Sequence, residues 1–123
     1  GDMRSIIIGG ELRTNIYSCV GSLAQQALSG LFFDKGFISG NHFTLERGFS
    51  TLTLGEAQLK RQVLAASKES FLLMDYTKYG DDSMVQIAPP DGIDVLITDW
   101  HMPENVAQGF REKNVKVITA QKG

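Results

Sequence analysis

The sequence contains little cysteine, little proline and no long apolar run. Cys19 is the single cysteine among 123 residues, and there are three prolines. One cysteine excludes an internal disulfide and a metal site built from cysteine pairs. No apolar stretch approaches the ~20 residues that a membrane-spanning helix requires, and IIIGG at residues 6–10 is too short for the core of a secretory signal. These absences favour a cytoplasmic protein that makes no contact with a membrane.

A strong charge of either sign is also missing. Twelve lysine and arginine residues stand against fourteen aspartate and glutamate residues, for a formal net charge of -2. The chain therefore lacks the basic footprint of a nucleic-acid-binding domain. Hydrophobic residues make up 42% and charged residues 21%, which is typical of folded globular proteins. The length fits one domain over residues 1–123. Residues 1–3 are left out of the fold argument as a candidate cloning remnant.

Short apolar runs that end in Gly or Asp alternate along the chain with helical patterns. The run SIIIGG at 5–10 holds three consecutive Ile, which is typical of a strand buried on both faces of a parallel sheet. Further strands are predicted at 32–41, 70–80 (ending in a turn), 84–88, 94–99 and 115–119, helices at 21–30 (with Gly30 left-handed after the last turn), 53–69 and 103–113, and a loop at 44–52. This alternation predicts an α/β fold with a mostly parallel sheet and flanking helices.

A ligand of a mostly parallel sheet is expected at the carboxyl ends of the strands. The positions that this rule selects are Gly9-Gly10, the turn from Asp75 to Gly80, Asp99, and the loops after Phe37 and Gly48. Lys78 in the turn can meet a phosphate or carboxylate as a point charge, or it can stand in solvent. Arg47, just before Gly48, can hold an anion near the start of the helix at 53–69, or it can be an ordinary surface residue.

Two carboxylates have both a functional and an ordinary interpretation. Glu56 can serve as a base or accept a hydroxyl. However, its capping-box spacing from Thr53 and a pair with Lys60 four residues later also explain it. Asp34 lies inside a β-like run and needs a partner, for which Lys35 is a candidate.

The other chemically distinctive residues fit ordinary roles. His42 and His101 have no spacing with Cys, Asp or Glu that suits a metal site. Cys19 has no base near it in sequence, and Trp100 beside a strand end is typical of packing. No common nucleotide, hydrolase or zinc motif occurs. The sequence therefore predicts no metal and no cofactor.

Taken in order, the segments of this chain resemble a known family. GGELR (9–13), FDKGFISGN (33–41), RGFST (47–51), EAQLKRQ (56–62), LLMDYTKYG (72–80) and LITD (96–99) are similar to the C-terminal effector-binding domain of the DeoR family of bacterial transcriptional regulators. The most telling piece is the D-x-[ST]-K-[FY]-G pattern at 75–80. The resemblance implies a sensor fold similar to ribose-5-phosphate isomerase and glucosamine-6-phosphate deaminase, and a domain that binds a phosphorylated sugar.

The resemblance to the isomerase extends to single residues. Asp34 falls on the first aspartate of the isomerase motif, Arg47 on its lysine and Glu56 on its catalytic glutamate. The spacings match without gaps, because 34 to 47 is 13 positions and 47 to 56 is 9. Asp75 and Lys78 fall on the isomerase turn D-x-S-K. These matches imply that the residues face a ligand.

Two departures from the family pattern bear on function. The second aspartate of the isomerase motif is replaced by Phe37, and losing one carboxylate should weaken proton transfer but need not abolish binding. Family members begin this domain with roughly two further strands, which carry a D-x-G-T-T phosphate loop. They also have a separate N-terminal helix-turn-helix domain that binds DNA. We therefore expect a partial domain whose missing first strands leave a sheet edge exposed. Exposed edges recruit partners, which predicts self-association as a homo-oligomer.

The combined prediction is a metabolite sensor without catalytic residues. The resemblance implies that a phosphorylated sugar binds this domain and thereby releases the intact repressor of sugar metabolism from DNA. It also implies that only the absent N-terminal domain contacts the DNA. The predicted effector-binding residues are Asp34, Arg47, Gly48, Glu56, Lys60, Asp75 and Lys78, with Gly9 and Gly10 near the phosphate. The alternatives are a fragment of a sugar-phosphate isomerase or deaminase, and an α/β module that serves oligomerisation only.

Overall fold

The computed structural model describes residues 5–8, 30 and 32–121, and for 5–8 the backbone only. The strands are β1 (Ser5–Ile8), β2 (Phe33–Ile38), β3 (His42–Thr44), β4 (Gly48–Thr51), β5 (Ser67–Leu73), β6 (Val85–Ala88), β7 (Val95–Asp99) and β8 (Lys116–Ala120). The helices are α1 (Leu54–Ala66) and α2 (Glu104–Arg111), and a short 3₁₀ turn covers Tyr76–Lys78. The helix predicted at 21–30 lies outside the described residues, except that Gly30 has a φ of +80°, the left-handed conformation expected of it.

Five of these strands form one parallel sheet in the order β1-β2-β5-β7-β8. Their register places Ile38, Leu72, Leu96 and Val117 in one row across the sheet. All four side chains are buried, so the apolar runs in the sequence become one layer of the core. The predicted α/β fold with a mostly parallel sheet is confirmed.

Both described helices pack on the side of the sheet that carries this row. Leu59 and Val63 of α1 and Phe110 of α2 belong to the same buried cluster as the row. Gly36 of β2 allows α1 to come close, because a Cβ there would lie 3.1 Å from Cγ1 of Val63. Within the described residues, neither helix has the length and apolar character that crossing a bilayer requires.

The predicted loop at 44–52 is wrong, because this segment forms most of a β-hairpin. β3 and β4 pair antiparallel, and β6 joins them as the third strand of a second sheet. Phe43 and Phe49 stand directly opposite each other, are fully buried, and stack on each other with ring centroids 5.8 Å apart. Their burial against Phe110 of α2 stabilises strands too short to be recognised from local sequence.

Helix α1 is shorter than the predicted 53–69. It begins at Leu54 after Thr53, whose hydroxyl accepts the Glu56 N–H at 3.2 Å, so the predicted N-cap bond is confirmed. It ends at Ala66 because the Ser67 hydroxyl donates to the Val63 carbonyl at 2.6 Å, and the chain then pairs with β2 as β5. Helix α2 likewise ends at Arg111, two residues before the predicted end.

Candidate functional site

The carboxyl ends of β2, β5 and β7 lie side by side at one edge of the parallel sheet. Because β5 stands between the other two strands, neighbouring ends are separated by about 5 Å. The chain leaves these strands toward Asn41, Asp75 and Trp100. This edge is where α/β sheets bind ligands, and several of the predicted site residues lie along it.

Thr51 connects three parts of this edge. Its hydroxyl lies 2.5 Å from Oε2 of Glu56 and 2.8 Å from Oδ1 of Asn41. A hydroxyl has one proton to donate, and the charged carboxylate is the stronger acceptor. Thr51 is fully buried, and by donating to Glu56 its hydroxyl ties the end of β4 to the first turn of α1, while Asn41 of the segment after β2 lies beside the same oxygen. This network fixes the orientation of the Glu56 carboxylate.

Lys60, one turn further along α1, is the most buried charged residue of the described chain. The residue is 3% exposed, and among the described residues the charge that acts on its ammonium is that of Glu56. Burial lowers the pKa of Lys60 below its ordinary value, while the charge of Glu56 opposes the shift. Side chains of a helix point back toward its N-terminus, so this ammonium is directed toward Glu56 and the sheet edge.

The turn after β5 presents Asp75 and Lys78. Oδ1 of Asp75 accepts the Thr77 N–H at 3.0 Å and also the Thr77 hydroxyl, and it thereby caps the 3₁₀ turn. Lys78 is exposed, and its ammonium has no partner among the described residues. The Gly80 N–H donates to the Phe43 carbonyl at 3.0 Å, which holds the turn against β3. Lys78 is therefore a free cation on a firmly anchored turn.

Asp99 closes β7 with a carboxylate that accepts three hydrogen bonds. Oδ2 accepts the Tyr76 N–H at 3.1 Å, and Oδ1 accepts the N–H of His101 at 2.9 Å and its ring Nδ1 at 3.1 Å. Partial burial acts to raise the pKa of Asp99, but these hydrogen bonds outweigh it and lower the pKa below its ordinary value. The carboxylate therefore stays charged. Trp100 stacks on the His101 ring with centroids 3.8 Å apart.

An open pocket of about 280 Å³ lies between the ends of β5 and β7. It is lined by Leu73, Met74, Asp75, Ile97, Thr98 and Asp99. Thr98 is buried, and its Oγ1 has no hydrogen-bond partner within the described part of the chain. The pocket thus combines an apolar floor with two carboxylates, whereas the Thr98 hydroxyl is closed off from solvent.

Arg47 and Gly48 lie at the far end of β4, in and just after the hairpin turn. The four residues of β4 separate Arg47 from Thr51 by about 13 Å, so Arg47 is not beside the start of α1. Its guanidinium pairs with Asp82 at 3.0 Å on the surface. Gly48 has a φ of +80°, and a Cβ there would come within 2.2 Å of the Ala88 carbonyl oxygen.

The other predicted site residues are scattered. Asp34 on β2 is half-buried, with Oδ1 4.0 Å from the Lys68 ammonium. Gly9 and Gly10 lie outside the described residues. The structure thus places Glu56 and Lys60 together on α1 and Asp75 and Lys78 together on the turn after β5, and no described contact joins these two pairs or joins Arg47 or Asp34 to them.

Sequence reasoning missed Asn41, Thr51 and Thr98. Each is a polar residue next to or inside a short strand, where polar side chains are common on solvent faces. Only the fold shows that Thr51 and Thr98 point into buried surroundings. No group of three His, Cys, Asp or Glu side chains suited to a metal ion exists among residues 32–121.

Comparison with known proteins identifies the family. Residues 1–100 match the model of the DeoR C-terminal sensor domain. The chain belongs to the DeoR C-terminal sensor-domain family. This confirms the resemblance carried by the motifs from residue 9 to residue 99.

Curated relatives of this sensor domain are transcriptional regulators. The chain is 32% identical over 113 residues to the "Putative aga operon transcriptional repressor" of Escherichia coli O157:H7, covering 92% of this chain and 42% of the relative. It is 29% identical over 116 residues to the HTH-type transcriptional regulator GolR of Listeria innocua, covering 94% of this chain and 46% of GolR. It is 27% identical over 115 residues to the HTH-type transcriptional regulator IolR of Bacillus subtilis, covering 94% of this chain and 46% of IolR.

In these relatives the sensor domain is part of a transcriptional regulator. The chain spans less than half the length of each of them, so it corresponds to one part of such a protein. Because these relatives regulate transcription, they are consistent with a sensing role for this domain rather than a catalytic one.

Proposed function

We propose that this sensor domain binds a phosphorylated sugar and that binding relieves DNA binding by the intact regulator. The observation that carries the proposal is the buried side chain of Lys60, whose charge is opposed by burial and offset among the described residues only by Glu56. A buried charge that is only partly compensated is unfavourable. An anionic ligand at the carboxyl edge would add negative charge near the Lys60 ammonium. Such a ligand would stabilise the conformation of the sensor in which the two charges are close.

The neighbouring groups suit the rest of such a ligand. Glu56 is held by Thr51 and can accept a sugar hydroxyl. Lys78 stands free on the adjoining turn and can meet a phosphate, with Asp75 three residues before it. Of the other predicted residues, Arg47 would have to break its ion pair with Asp82 before it could bind the ligand. Gly48 allows β4 to pack closely against the backbone at the end of β6.

An isomerase-like enzyme is the second candidate function, and one observation opposes it. Phe37 occupies the position of the second carboxylate of the isomerase motif, and its ring stacks on Phe71 with centroids 4.6 Å apart. An aromatic pair cannot take over the polar role of a carboxylate in a proton transfer. A coupled aldose–ketose isomerisation assay should therefore show no turnover, and turnover above the rate without protein would contradict the sensor proposal.

Three further properties belong to the proposal. The regulator acts in the cytoplasm, contacts DNA through a part of the intact protein outside this chain, and forms a homo-oligomer. Self-association is tested by light scattering over a concentration series. A rise in mass from monomer to dimer or beyond is expected, and a constant monomer mass up to the highest concentration would contradict it.

The test of ligand binding is a thermal-shift panel. Ribose 5-phosphate, fructose 6-phosphate, glucosamine 6-phosphate and glycerol 3-phosphate are each compared with the unphosphorylated parent compound and with inorganic phosphate. A ligand at about 100 times its Kd adds about 2.7 kcal/mol, which for a chain of this size raises Tm by at least ~5 °C. We expect a phosphorylated compound to do so and its parent compound to fail. No shift with any phosphorylated compound would overturn the proposal.

A pair of lysine variants locates the phosphate. Lys78→Met removes the free cation of the turn, whereas Lys113→Met removes an exposed lysine after α2, far along the chain from the turn. The Lys78→Met variant should lose most of the ligand-induced shift, and the Lys113→Met variant should keep it. Equal shifts in both variants would show that Lys78 does not hold the phosphate.

A further inference from the structure

Strand β8 is one edge of the parallel sheet, and its outer side has no partner strand among the described residues. The strand order places β7 on one side of it and no described strand on the other. Its register with β7 runs over five consecutive residue pairs without a shift, so the edge is regular and has no bulge. Beyond Lys116 the strand holds no charge and no proline. The features that usually keep an edge from pairing are therefore confined to its first residue.

The backbone of β8 presents outward hydrogen-bonding groups at two positions. The Lys116 N–H donates at 3.0 Å to the carbonyl of the residue just before β7. Residues that bond to one neighbour alternate along a strand of a parallel sheet, so Ile118 and Ala120 also direct their N–H and C=O groups to β7. Val117 and Thr119 direct theirs outward. An edge of this kind is a template for one more strand.

The edge is complementary to itself about a two-fold axis at Ile118. Antiparallel pairing of two β8 strands on this axis sets Val117 of each copy opposite Thr119 of the other. The outward N–H groups of each strand then meet the outward C=O groups of the other. All five residues of the strand pair in this register, and an axis at any other residue leaves some of them unpaired. Two-fold contacts of one patch with itself are the commonest way in which identical chains associate.

The side chains favour the same register. Ile118 is 41% exposed, because it points to the face opposite the buried Val117 and the two described helices. The axis sets Ile118 beside Ile118 of the second copy, where directly opposed Cβ atoms are about 5 Å apart. Lys116 lies opposite Ala120, and the two Lys116 positions are about 13 Å apart along the strands. The register thus covers an exposed apolar side chain and keeps like charges apart.

We propose that β8 is the self-association surface of this chain, and that a second copy adds its own β8 in antiparallel register about a two-fold axis at Ile118. The two five-stranded sheets then continue into each other across the axis. This inference rests on the self-association that the proposed function includes, and it adds the strand, the register and the symmetry. It does not depend on the identity of the ligand.

Amide hydrogen exchange of the wild-type chain tests the register without any variant. Samples are compared above and below the concentration at which light scattering shows the mass to double. The amides of Val117 and Thr119 should exchange at least about tenfold more slowly in the dimer, whereas the Ile118 amide, which points to β7, should be protected equally in both samples. Equally fast exchange of Val117 and Thr119 in both samples would overturn the pairing of β8.

A matched pair of lysine substitutions tests the position of the axis. Ile118→Lys sets two like charges directly opposite each other and removes the apolar contact. Met84→Lys makes the same change of charge just before β6, at a side chain that is 89% exposed. In sedimentation velocity, Ile118→Lys should raise the dissociation constant of the dimer about tenfold or more, and Met84→Lys should leave it within about twofold.

The outcomes separate this inference from the proposed function. Loss of the dimer in Ile118→Lys alone supports the β8 interface, and equal effects of the two substitutions overturn it while self-association stands. A wild-type chain that is monomeric at every concentration overturns both the interface and the self-association. Binding of a sugar phosphate is measured separately by the thermal-shift panel and is not affected by either result. If Ile118→Lys fails to fold, the hydrogen exchange of the wild-type chain decides.

Discussion

At the scale of single residues, Thr51 links β4 to the start of α1 at the carboxyl edge. Its buried hydroxyl is shared between Glu56 and Asn41. Thr51→Val should lower the free energy of unfolding by about 1–3 kcal/mol, because the half-buried Glu56 carboxylate loses a charge-assisted hydrogen bond. Urea denaturation measures the loss.

Thr119→Val is the control for that variant. Thr119 lies half-buried on edge strand β8, where valine suits a strand. Its effect should stay within about 0.5 kcal/mol. If Thr51→Val is as mild as Thr119→Val, the Thr51 network does not stabilise the edge.

The lowered pKa of Lys60 predicts how stability depends on pH. The unfolded chain keeps the Lys60 proton to higher pH than the folded chain does, so folding releases that proton and stability rises with pH. This rise in stability occurs at pH values between the lowered pKa of Lys60 in the folded state and the ordinary lysine pKa of about 10.4. Burial also raises the pKa of Tyr79, which opposes the rise above about pH 10.

The measurement compares wild type with Lys60→Met between about pH 8 and about pH 10. The variant lacks the titrating amine but keeps Tyr79 and every other group. Wild type should gain stability relative to the variant as pH rises. A constant difference across this range would show that the folded state does not disfavour the Lys60 charge.

At the scale of elements, the hairpin of β3 and β4 depends on one backbone conformation. Gly48 has a φ of +80° and lies against the Ala88 carbonyl. Gly48→Ala should lower the free energy of unfolding by at least about 2 kcal/mol, because a Cβ adds left-handed strain and a backbone clash. Gly55→Ala is the matched control, since Gly55 has nothing within 4 Å in the first turn of α1. It should stabilise by up to about 1 kcal/mol. A similar effect at both positions would contradict the close approach at Gly48.

The strands and helices differ in how well the local sequence predicts them. The strands of the parallel sheet were predictable because apolar runs such as residues 94–99 are buried on at least one face and end in Gly or Asp. The hairpin was not, because its strands of three and four residues carry no long alternation. The end of α1 was not predictable either, since Ser67, Lys68 and Glu69 are compatible with a helix until β2 pairs with them.

At the scale of the whole molecule, the site is a property of the sheet edge and not of any one motif. The sequence placed Glu56, Lys60, Asp75 and Lys78 as candidates one by one, and the parallel order β2-β5-β7 brings their elements to one edge. Thr98 and Asn41 could not be foreseen, because their surroundings come from strands and turns distant in sequence. The role of the four candidates toward a ligand stays a prediction until it is tested.

The measurement that tests the central claim most directly is calorimetric titration of Lys60→Met beside wild type, using the sugar phosphate that gives the largest thermal shift. Without ligand, the variant should be as stable as wild type or more stable by about 1 kcal/mol or more, because it removes a buried charge that Glu56 offsets only in part. With ligand, it should lose most of the affinity for the phosphorylated compound. Affinity equal to wild type, together with lowered stability of the unliganded variant, would contradict the claim and make Lys60 a structural residue only.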